Sequence, residues 1–532
     1  MHIATFSTWV RSLLLAAIAL AWAGTAEARH PVVATSDGRV RGISSEGVDR
    51  FLGIPYAAPP VGDLRWRPPQ RHERWRGVRD ATEFANHCPQ AASPFGQPST
   101  TEDCLYLNVF RPADRDEEGE EKDEGHERRL PVMVWIHGGA LLVGESDDYD
   151  PIRLVHDRVI VVTLNYRLGV LGFLAHPALT AESPAHASGN YGLMDQQAAL
   201  RWVRRNISAF GGDPSRVTIF GESAGGLSVH SHLASPLSAG LFHRAIVQSG
   251  AYSLAQPSLS TAEAQGQTVA EGVGCADQTA ECLRGASLES LMAAFAALML
   301  PTTLPDVDGY VLTQSIGDSF ASGEFNRVPV IEGSNHDEWR LFVAISFDLT
   351  PVGPLTAEHY IEAIAATLGV PVPVAEQLAM AYPLENYPSP DLALSALGTD
   401  AIFACNSRKL AGLLSQHVST FAYEFNDEDA PELFLPPVSY PYGSAHASEI
   451  QYLFNLSTPI PSPGLTHDQR RLARAMTSYW TNFARLASPN WFGVPFWPAY
   501  DGSDDEIQSL EPPVPQTETG FALDHKCAIW TP

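Results

Sequence analysis

The stretch Val217-Thr218-Ile219-Phe220-Gly221-Glu222-Ser223-Ala224-Gly225 joins a strand-like run to a helix-like segment through two glycines. Its first four residues are apolar or β-branched and predict a buried strand, whereas residues 224–233 predict a helix. Gly221 and Gly225 lack Cβ, so strand and helix can pass close to each other at a sharp turn. Such a turn lifts the serine hydroxyl away from the sheet. We therefore predict Ser223 as a nucleophile rather than an ordinary serine in a glycine-rich turn.

Five more short apolar runs have the composition of strands. Each ends in polar or glycine-rich residues, and helix-like segments such as 193–210 lie between them; the runs are 132–136, 159–164, 245–247, 328–331 and 420–425. Alternating buried strands and helices predict an α/β fold with a large, mostly parallel central sheet flanked by helices. The functional crevice of such a sheet lies at the carboxyl ends of its strands.

The glycine-rich segment His137-Gly138-Gly139-Ala140 follows one of these strands. A tetrahedral oxyanion needs preorganised backbone N–H groups, and small residues let the backbone approach a substrate carbonyl. We expect one donor from Ala224, directly after the nucleophile, and the others from this upstream loop. A plain strand-to-loop turn is the alternative.

Composition narrows the classes of partner. The chain has 532 residues, and 34 basic against 61 acidic side chains leave a net charge of −27. Nucleic-acid phosphates and anionic membranes both attract cationic surfaces, so we expect neither as a partner. The acidic run 114–129 between two strand-like segments predicts a solvated loop, with a docking site for a basic partner as the alternative.

The N-terminus predicts export. Arg11 precedes the apolar run 12–24, and the small-residue pattern Ala26-Glu27-Ala28 follows. This layout is typical of a secretory signal peptide cleaved after Ala28, and the run is shorter than the ~20 residues of a membrane span. We therefore expect residues 1–28 to be removed and the mature protein to be soluble and secreted or periplasmic.

The cysteines agree with an oxidising compartment. There are six, and an even number suggests three disulfides, although six cysteines allow 15 pairings. Proximity in the sequence suggests Cys88–Cys104 and Cys275–Cys282, which leaves Cys405–Cys527. Buried free thiols are the alternative, and the absence of a CxxC spacing makes a thiol–metal site improbable.

Several motifs together resemble the type-B carboxylesterase family, which includes the cholinesterases, with a secreted enzyme of bacterial type as the nearest match. The likeness runs from about residue 33 to 527 and rests on residues 210–226 around Ser223, on 102–109 (EDCLYLNV), on 165–169 (NYRLG), on 189–196 (GNYGLMDQ) and on 248–250 (QSG). It implies an α/β-hydrolase fold in one domain, 29–532, with helical insertions at about 251–330 and 339–400 capping the active site. It also supports the three disulfide pairings.

The resemblance implies the rest of a catalytic triad. The family's acid lies in a short motif after a strand, here Asn335-His336-Asp337-Glu338-Trp339, so Glu338 is expected, with Asp337 as the alternative. The family's histidine lies in a late loop, here residues 443–450, so His446 is the expected base. The order Ser, Glu, His is that of α/β hydrolases. Glu222 and Ser249 are expected to lie near the base.

Other polar residues receive structural interpretations. His230 and His232 are two apart on a predicted helix, so they face different directions and form a poor metal pair. His137 is expected to support the oxyanion loop, and Arg167 and Asp195 to form scaffold hydrogen bonds. No metal or organic cofactor is implied.

Two positions depart from the family pattern. The upstream loop reads Gly-Gly-Ala instead of three glycines, so by position Gly139 and Ala140 should supply the oxyanion donors, and Ala140 can do so with a negative φ. The segment between Cys88 and Cys104 contains no Trp. Cholinesterases keep a choline-stacking Trp there, so choline esters are not the expected substrates.

The implied activity is hydrolysis of short- to medium-chain carboxylic esters through an acyl-enzyme, with a small-molecule ester as the partner. Two alternatives stay open. One is a catalytically silent binding or adhesion protein on the same fold, and the other is a lipase or amidase. The oligomeric state and the natural ester are not predicted.

Overall fold

The computed structural model describes residues 30–113, 129–298 and 303–531. The predicted signal peptide and nearly all of the acidic run lie outside the described residues. The two segments flanking that run are both strands, as predicted.

The described residues form the following strands: β1 (Val32–Ala34), β2 (Arg39–Arg41), β3 (Ile43–Ser45), β4 (Val48–Pro55), β5 (Val78–Asp80), β6 (Tyr106–Pro112), β7 (Leu130–Ile136), β8 (Tyr149–Asp150), β9 (Ile160–Leu164), β10 (Gly212–Glu222), β11 (Arg244–Gln248), β12 (Val330–Asn335), β13 (Thr420–Phe425), β14 (Asn455–Leu456), β15 (Ile507–Leu510) and β16 (Gln516–Glu518). All six predicted strands are present. They lie at the centre of one large sheet.

That sheet has eleven strands in the order β16-β15-β13-β12-β11-β10-β7-β9-β6-β4-β3. The seven strands from β15 to β9 are all parallel to their neighbours, while β16 at one edge and β6, β4 and β3 at the other are antiparallel. The mostly parallel sheet is therefore confirmed. Two smaller sheets, β1-β2-β5 and β8-β14, lie apart from it.

The α-helices of the described residues are α1 (Ile152–His156), α2 (Gly169–Phe173), α3 (Pro177–Glu182), α4 (Tyr191–Asn206), α5 (Ala224–Ala234), α6 (Leu259–Gly272), α7 (Ala280–Gly285), α8 (Leu288–Ala296), α9 (Ile316–Ser322), α10 (Trp339–Val343), α11 (Tyr360–Leu368), α12 (Val372–Ala381), α13 (Pro390–Gly398), α14 (Cys405–Ser415), α15 (His467–Leu486), α16 (Phe521–Asp524) and α17 (Cys527–Trp530). The predicted helix 193–210 ends four residues early. A 3-10 turn over Ile207–Phe210 follows it, and Gly211 closes that turn with φ 84°.

Helices cover both faces of the sheet because successive side chains of a buried strand point to opposite faces. In β7, Val132, Val134 and Ile136 join the core that α4 and α5 complete. Met133 and Trp135 join the other core, together with side chains of α15. A separate cluster holds together the inserted helices α10 to α13.

The three disulfides pair as predicted: Cys88–Cys104, Cys275–Cys282 and Cys405–Cys527. The last of them joins the start of α14 to the start of α17, across 122 residues of sequence. No single helix among residues 30–113, 129–298 and 303–531 has the length and hydropathy of a membrane span. One bent pair, Ala357–Leu368 with Val372–Asn386, satisfies both criteria by length and composition alone.

Candidate active site

Ser223 occupies the sharp turn between β10 and α5. Its backbone has φ 56° and ψ −120°. This conformation is sterically strained in any residue that carries a side chain. The close approach of strand and helix leaves no room for side chains, since a Cβ on Gly225 would lie 2.0 Å from the carbonyl oxygen of Ile136. A Cβ on Gly221 would lie 2.6 Å from the backbone of Gly225. The predicted glycine roles and the strained serine are therefore both present.

His446 and Glu338 are brought together from segments 108 residues apart. Glu338 follows β12 and is fully buried, and one of its carboxylate oxygens lies 2.5 Å from His446 Nδ1. The other oxygen accepts a hydrogen bond of 2.8 Å from the backbone N–H of Asn335. This arrangement fixes the carboxylate and orients the imidazole so that Nε2 faces away from it.

Asp337, the alternative acid, is turned to other partners. Its carboxylate lies 2.8 Å from the Arg340 guanidinium and accepts a hydrogen bond from the backbone N–H of Ser444. These contacts hold the loop that precedes His446. Of the two neighbouring acids, Glu338 is thus the one that contacts the imidazole.

His446 and Ser223 both line one pocket. Nε2 lies 3.1 Å from Glu222 Oε1, and it has no hydrogen-bond partner among the described residues, the Ser223 hydroxyl included. Burial lowers the pKa of His446, but the carboxylates of Glu222 and Glu338 outweigh it and raise that pKa to about 9. Burial raises the pKa of Glu222, and His446 opposes that shift. The imidazole therefore lies between two carboxylates beside the serine.

The glycine-rich loop after β7 has a backbone that differs from the prediction. A negative φ was the condition under which Ala140 was expected to supply a donor, and its φ is 57°, between Gly139 at 92° and Leu141 at 60°. The reason is a tight turn in which the N–H groups of Leu142 and Val143 both donate to the carbonyl of Gly139. The N–H groups of Gly139 and Ala140 donate to no described residue, and the N–H of Ala224 begins a helix, where it has no intrahelical acceptor.

A family model described as the carboxylesterase family matches residues 29–530. The chain belongs to the carboxylesterase family. Relatives of this carboxylesterase align with it over nearly its full length. Acylcarnitine hydrolase of Mus musculus is 36% identical over 519 residues, which are 91% of this chain and 88% of the relative. Cocaine esterase of Oryctolagus cuniculus is 37% identical over 522 residues (92% and 94%), and liver carboxylesterase 1 of the same species is 34% identical over 575 residues (98% and 97%). The chain is a carboxylic ester hydrolase of α/β-hydrolase fold, and a serine mechanism is general in this family.

Three further polar side chains of the carboxylesterase support the acid and base. Glu449 accepts hydrogen bonds from the amides of Asn335 at 2.8 Å and Gln248 at 2.9 Å, and Trp480 donates to Gln248 at 3.0 Å. All three lie within motifs or loops singled out from the sequence, but no role was predicted for them. Their positions could have indicated one, since Asn335 ends β12, Gln248 ends β11 and Glu449 lies three residues after His446.

The contacts of Glu222 and Ser249 differ, although both were expected near the base. Glu222 lies beside His446, as described above. The buried Ser249 hydroxyl has no hydrogen-bond partner among the described residues, and its backbone N–H donates to the carbonyl of Gly333. Ser249 therefore contacts β12 through its backbone N–H, and its hydroxyl is not hydrogen-bonded to the imidazole.

The remaining polar residues that the sequence analysis singled out make scaffold contacts in the carboxylesterase. Arg167 donates two side-chain hydrogen bonds, of 2.7 and 2.8 Å, to the Asp195 carboxylate in the core. His137 stacks on Tyr166 with ring centroids 4.4 Å apart, and its burial lowers its pKa to about 4. His230 and His232 bind different partners: His230 Nε2 lies 2.8 Å from a Glu332 oxygen, and the ring nitrogens of His232 lie 2.8 and 3.0 Å from Gln196 and Ser238.

The pocket over Ser223 is a cavity of about 220 Å³ with mainly apolar walls. Of the two expected insertions, 339–400 contributes Leu341, Phe342 and Ile345, whereas no described residue of 251–330 lines it. Further apolar walls come from the glycine-rich loop after β7, from Phe95 and from Phe434, Ile450 and Leu456. Phe95 belongs to the loop between Cys88 and Cys104, so that loop contributes a phenyl ring to the pocket.

Two aromatic rings and one acid complete the immediate surroundings. Phe342 and Phe403 each have ring centroids 5.0 Å from that of His446. Asp148 lines the pocket, and burial together with the charges of Glu145 and Asp147 raises its pKa to about 8. The pocket therefore combines mostly apolar walls with a small number of titratable groups.

Proposed function

We propose that Ser223, His446 and Glu338 are the catalytic triad of this ester hydrolase, with Gly139, Ala140 and Ala224 as the oxyanion hole. The observation that supports this most directly is the 2.5 Å contact of Glu338 with His446, which lines the same pocket as the strained Ser223. In many hydrolases the serine–histidine hydrogen bond is loose without substrate and tightens in the complex.

The chemistry follows from these roles. His446 Nε2 accepts the Ser223 proton while Oγ bonds to the ester carbonyl carbon, and the N–H groups of the loop stabilise the oxyanion. The carbon–oxygen bond to the alcohol breaks, and the alcohol leaves with the proton from His446. Water then attacks the acyl-enzyme, gives a proton to His446 and releases the acid, and that proton returns to Ser223 Oγ.

The substrates we propose are uncharged esters with short to medium acyl chains. The support is the size of the cavity, about 220 Å³, and its phenyl and aliphatic walls. A homologous series of p-nitrophenyl esters should show a maximum of kcat/KM at short or medium length, followed by a fall for long chains. A steady rise to long chains would instead indicate a lipase, and faster cleavage of matched anilides an amidase.

The nucleophile is tested by Ser223→Ala. A fluorophosphonate probe should label the wild type and not the variant, and kcat should fall by about 10⁴-fold or more because the covalent step is lost. Ser215→Ala, on the strand β10 that ends just before Ser223, serves as the matched control and should keep both labelling and activity. Labelling of the Ser223→Ala variant at the wild-type rate would contradict the assignment.

We further propose that residues 1–28 are a cleaved leader and that residues 29–532 form one exported domain. The three disulfides support an oxidising compartment. Intact-mass analysis of the enzyme purified from its native host should give the mass of 29–532 with six oxidised cysteines. A mass that retains residues 1–28 would contradict the leader.

A further inference from the structure

Four side chains from separate segments meet near the end of the strand that leads to Glu338. His336 directly follows β12, Glu424 lies in β13, Glu518 ends β16, and His525 lies between α16 and α17. One ligand atom each of His336, Glu424 and His525 lies within 4.8 Å of the others. We propose that these residues, with Glu518, bind a divalent transition-metal cation of the Zn²⁺ type, at a site separate from the ester-hydrolysing groups.

The donor types and their spacing suit such a cation. Zn²⁺ is bound by imidazole nitrogens and carboxylate oxygens at about 2.0–2.2 Å, which places tetrahedral ligand atoms roughly 3.3 Å from one another. Glu424 Oε1 and His525 Nε2 are already 2.5 Å apart, and the His336 and His525 ring centroids are 5.3 Å apart. Small side-chain movements of about an ångström would therefore bring the donors to ligand spacing.

Both imidazoles are also held in the way that metal-binding histidines are held. The ring nitrogen of a metal ligand that does not face the metal usually donates to a carboxylate or carbonyl, which fixes the tautomer. His525 Nδ1 lies 2.7 Å from Asp400, and His336 Nδ1 lies 3.3 Å from Asp337. His336 Nε2 is thereby left as an available ligand atom, whereas His525 Nε2 contacts Glu424 Oε1 and would exchange its proton for the cation. This pairing of two histidines with two carboxylates is independent of the clustering itself.

The charges at the site favour a cation. Glu518 shares a hydrogen bond with the neighbouring carboxyl of Glu424, so two acidic groups approach each other. A divalent cation would neutralise both and would displace the protons that these groups and His525 share. Glu424 is buried, whereas the His336 side chain is 35% exposed and Glu518 is partly exposed, so an ion can enter from solvent.

A bound cation would connect parts of the chain that are distant in sequence. It would link the ends of β12, β13 and β16 to the segment just before Cys527. A ligand that binds only the folded protein stabilises it. We therefore expect Zn²⁺ to raise the melting temperature of the enzyme and to leave the identity of the reacting groups unchanged.

The experiment uses the full enzyme after treatment with a chelator and dialysis. Titration with Zn²⁺, followed by calorimetry, should show one saturable site per chain and a concentration-dependent rise in Tm. Co²⁺ should give the visible d–d absorption of a site with nitrogen and oxygen ligands. His336→Asn should weaken Zn²⁺ binding about 100-fold and remove the Tm shift, and Glu518→Gln, at a partly exposed position, should weaken it about 10-fold.

His467→Asn is the matched control. His467 is an exposed histidine 2.9 Å from Asp468, so it reports adventitious binding to a surface histidine–carboxylate pair. It should leave affinity and Tm shift unchanged. The proposal is overturned if the wild type shows no saturable site, or if the affinity is the same in His336→Asn as in the wild type. Should His336→Asn not fold, Glu518→Gln decides by the same criterion.

Discussion

The imidazole of His446 has a carboxylate on each side, Glu338 at Nδ1 and Glu222 at Nε2. A single acid is enough to orient a catalytic histidine, so the second one has a consequence of its own. The Glu222 carboxylate stabilises the protonated imidazole, so the neutral base forms only at higher pH.

We predict that this second carboxylate sets the pH profile. General-base catalysis needs the neutral imidazole, and the carboxylates raise the pKa of His446 to about 9. The kcat/KM of the wild type should therefore keep rising through the alkaline range. Glu222→Gln removes one negative charge, so the apparent pKa in its kcat/KM profile should move toward the ordinary histidine value near 6.5. The measurement is kcat/KM for a neutral ester between pH 5.5 and 10.

Glu428→Gln, on an exposed loop after β13, is the control for that profile. It should titrate like the wild type. An apparent pKa for Glu222→Gln equal to or above that of the wild type would show that Glu222 does not act on the imidazole in this way.

The strand–turn–helix element around Ser223 depends on glycine for steric reasons that the sequence already indicates. We predict that Gly225→Ala prevents the element from forming, because the added Cβ would lie 2.0 Å from the backbone oxygen of Ile136, where neither strand nor helix can move freely. The expected loss in the free energy of unfolding is about 3 kcal/mol or more, measured by denaturant unfolding. Activity should fall with it.

Gly412→Ala is the matched control, since Gly412 is also helical and its added Cβ would meet nothing within 4 Å. Alanine is favoured over glycine in a helix, so this variant should gain about 0.5–1 kcal/mol. If Gly225→Ala were as stable as Gly412→Ala, close packing would not be the reason for glycine at the turn between β10 and α5.

At the scale of the whole molecule, the disulfides differ in what they restrain. Cys405–Cys527 closes a loop of 122 residues and fastens the C-terminal segment to α14, whereas Cys275–Cys282 closes one of seven. In the chain-entropy model, the longer loop contributes about 5 kcal/mol and the shorter about 2 kcal/mol. The double variant Cys405→Ala/Cys527→Ala should thus lose more free energy of unfolding than Cys275→Ala/Cys282→Ala. Denaturant unfolding of both variants measures this, and equal losses would contradict it.

Local pattern was sufficient for much of this molecule. The β-branched runs and the paired glycines at 221 and 225 are each readable over a few residues, because strand burial and a tight turn restrict which side chains fit. Glu338 and His446 were expected only from the resemblance to the family. The cysteine pairings also followed, since two of the three bridges join neighbours in sequence. The positive φ of Ala140 did not follow, because it depends on a turn that the surrounding fold imposes.

The α/β architecture and the Ser223 turn were predictable from short-range patterns of burial and backbone geometry, and the motifs indicated the family and, through it, Glu338 and His446. The folded chain was needed to show that Glu338 rather than Asp337 contacts His446, that Glu222 lies 3.1 Å from the same ring, and that Glu449 accepts hydrogen bonds from Gln248 and Asn335. Those contacts join residues between 108 and 224 positions apart. Their geometry depends on strand register and on the path of long loops, neither of which is encoded in any short stretch of the chain.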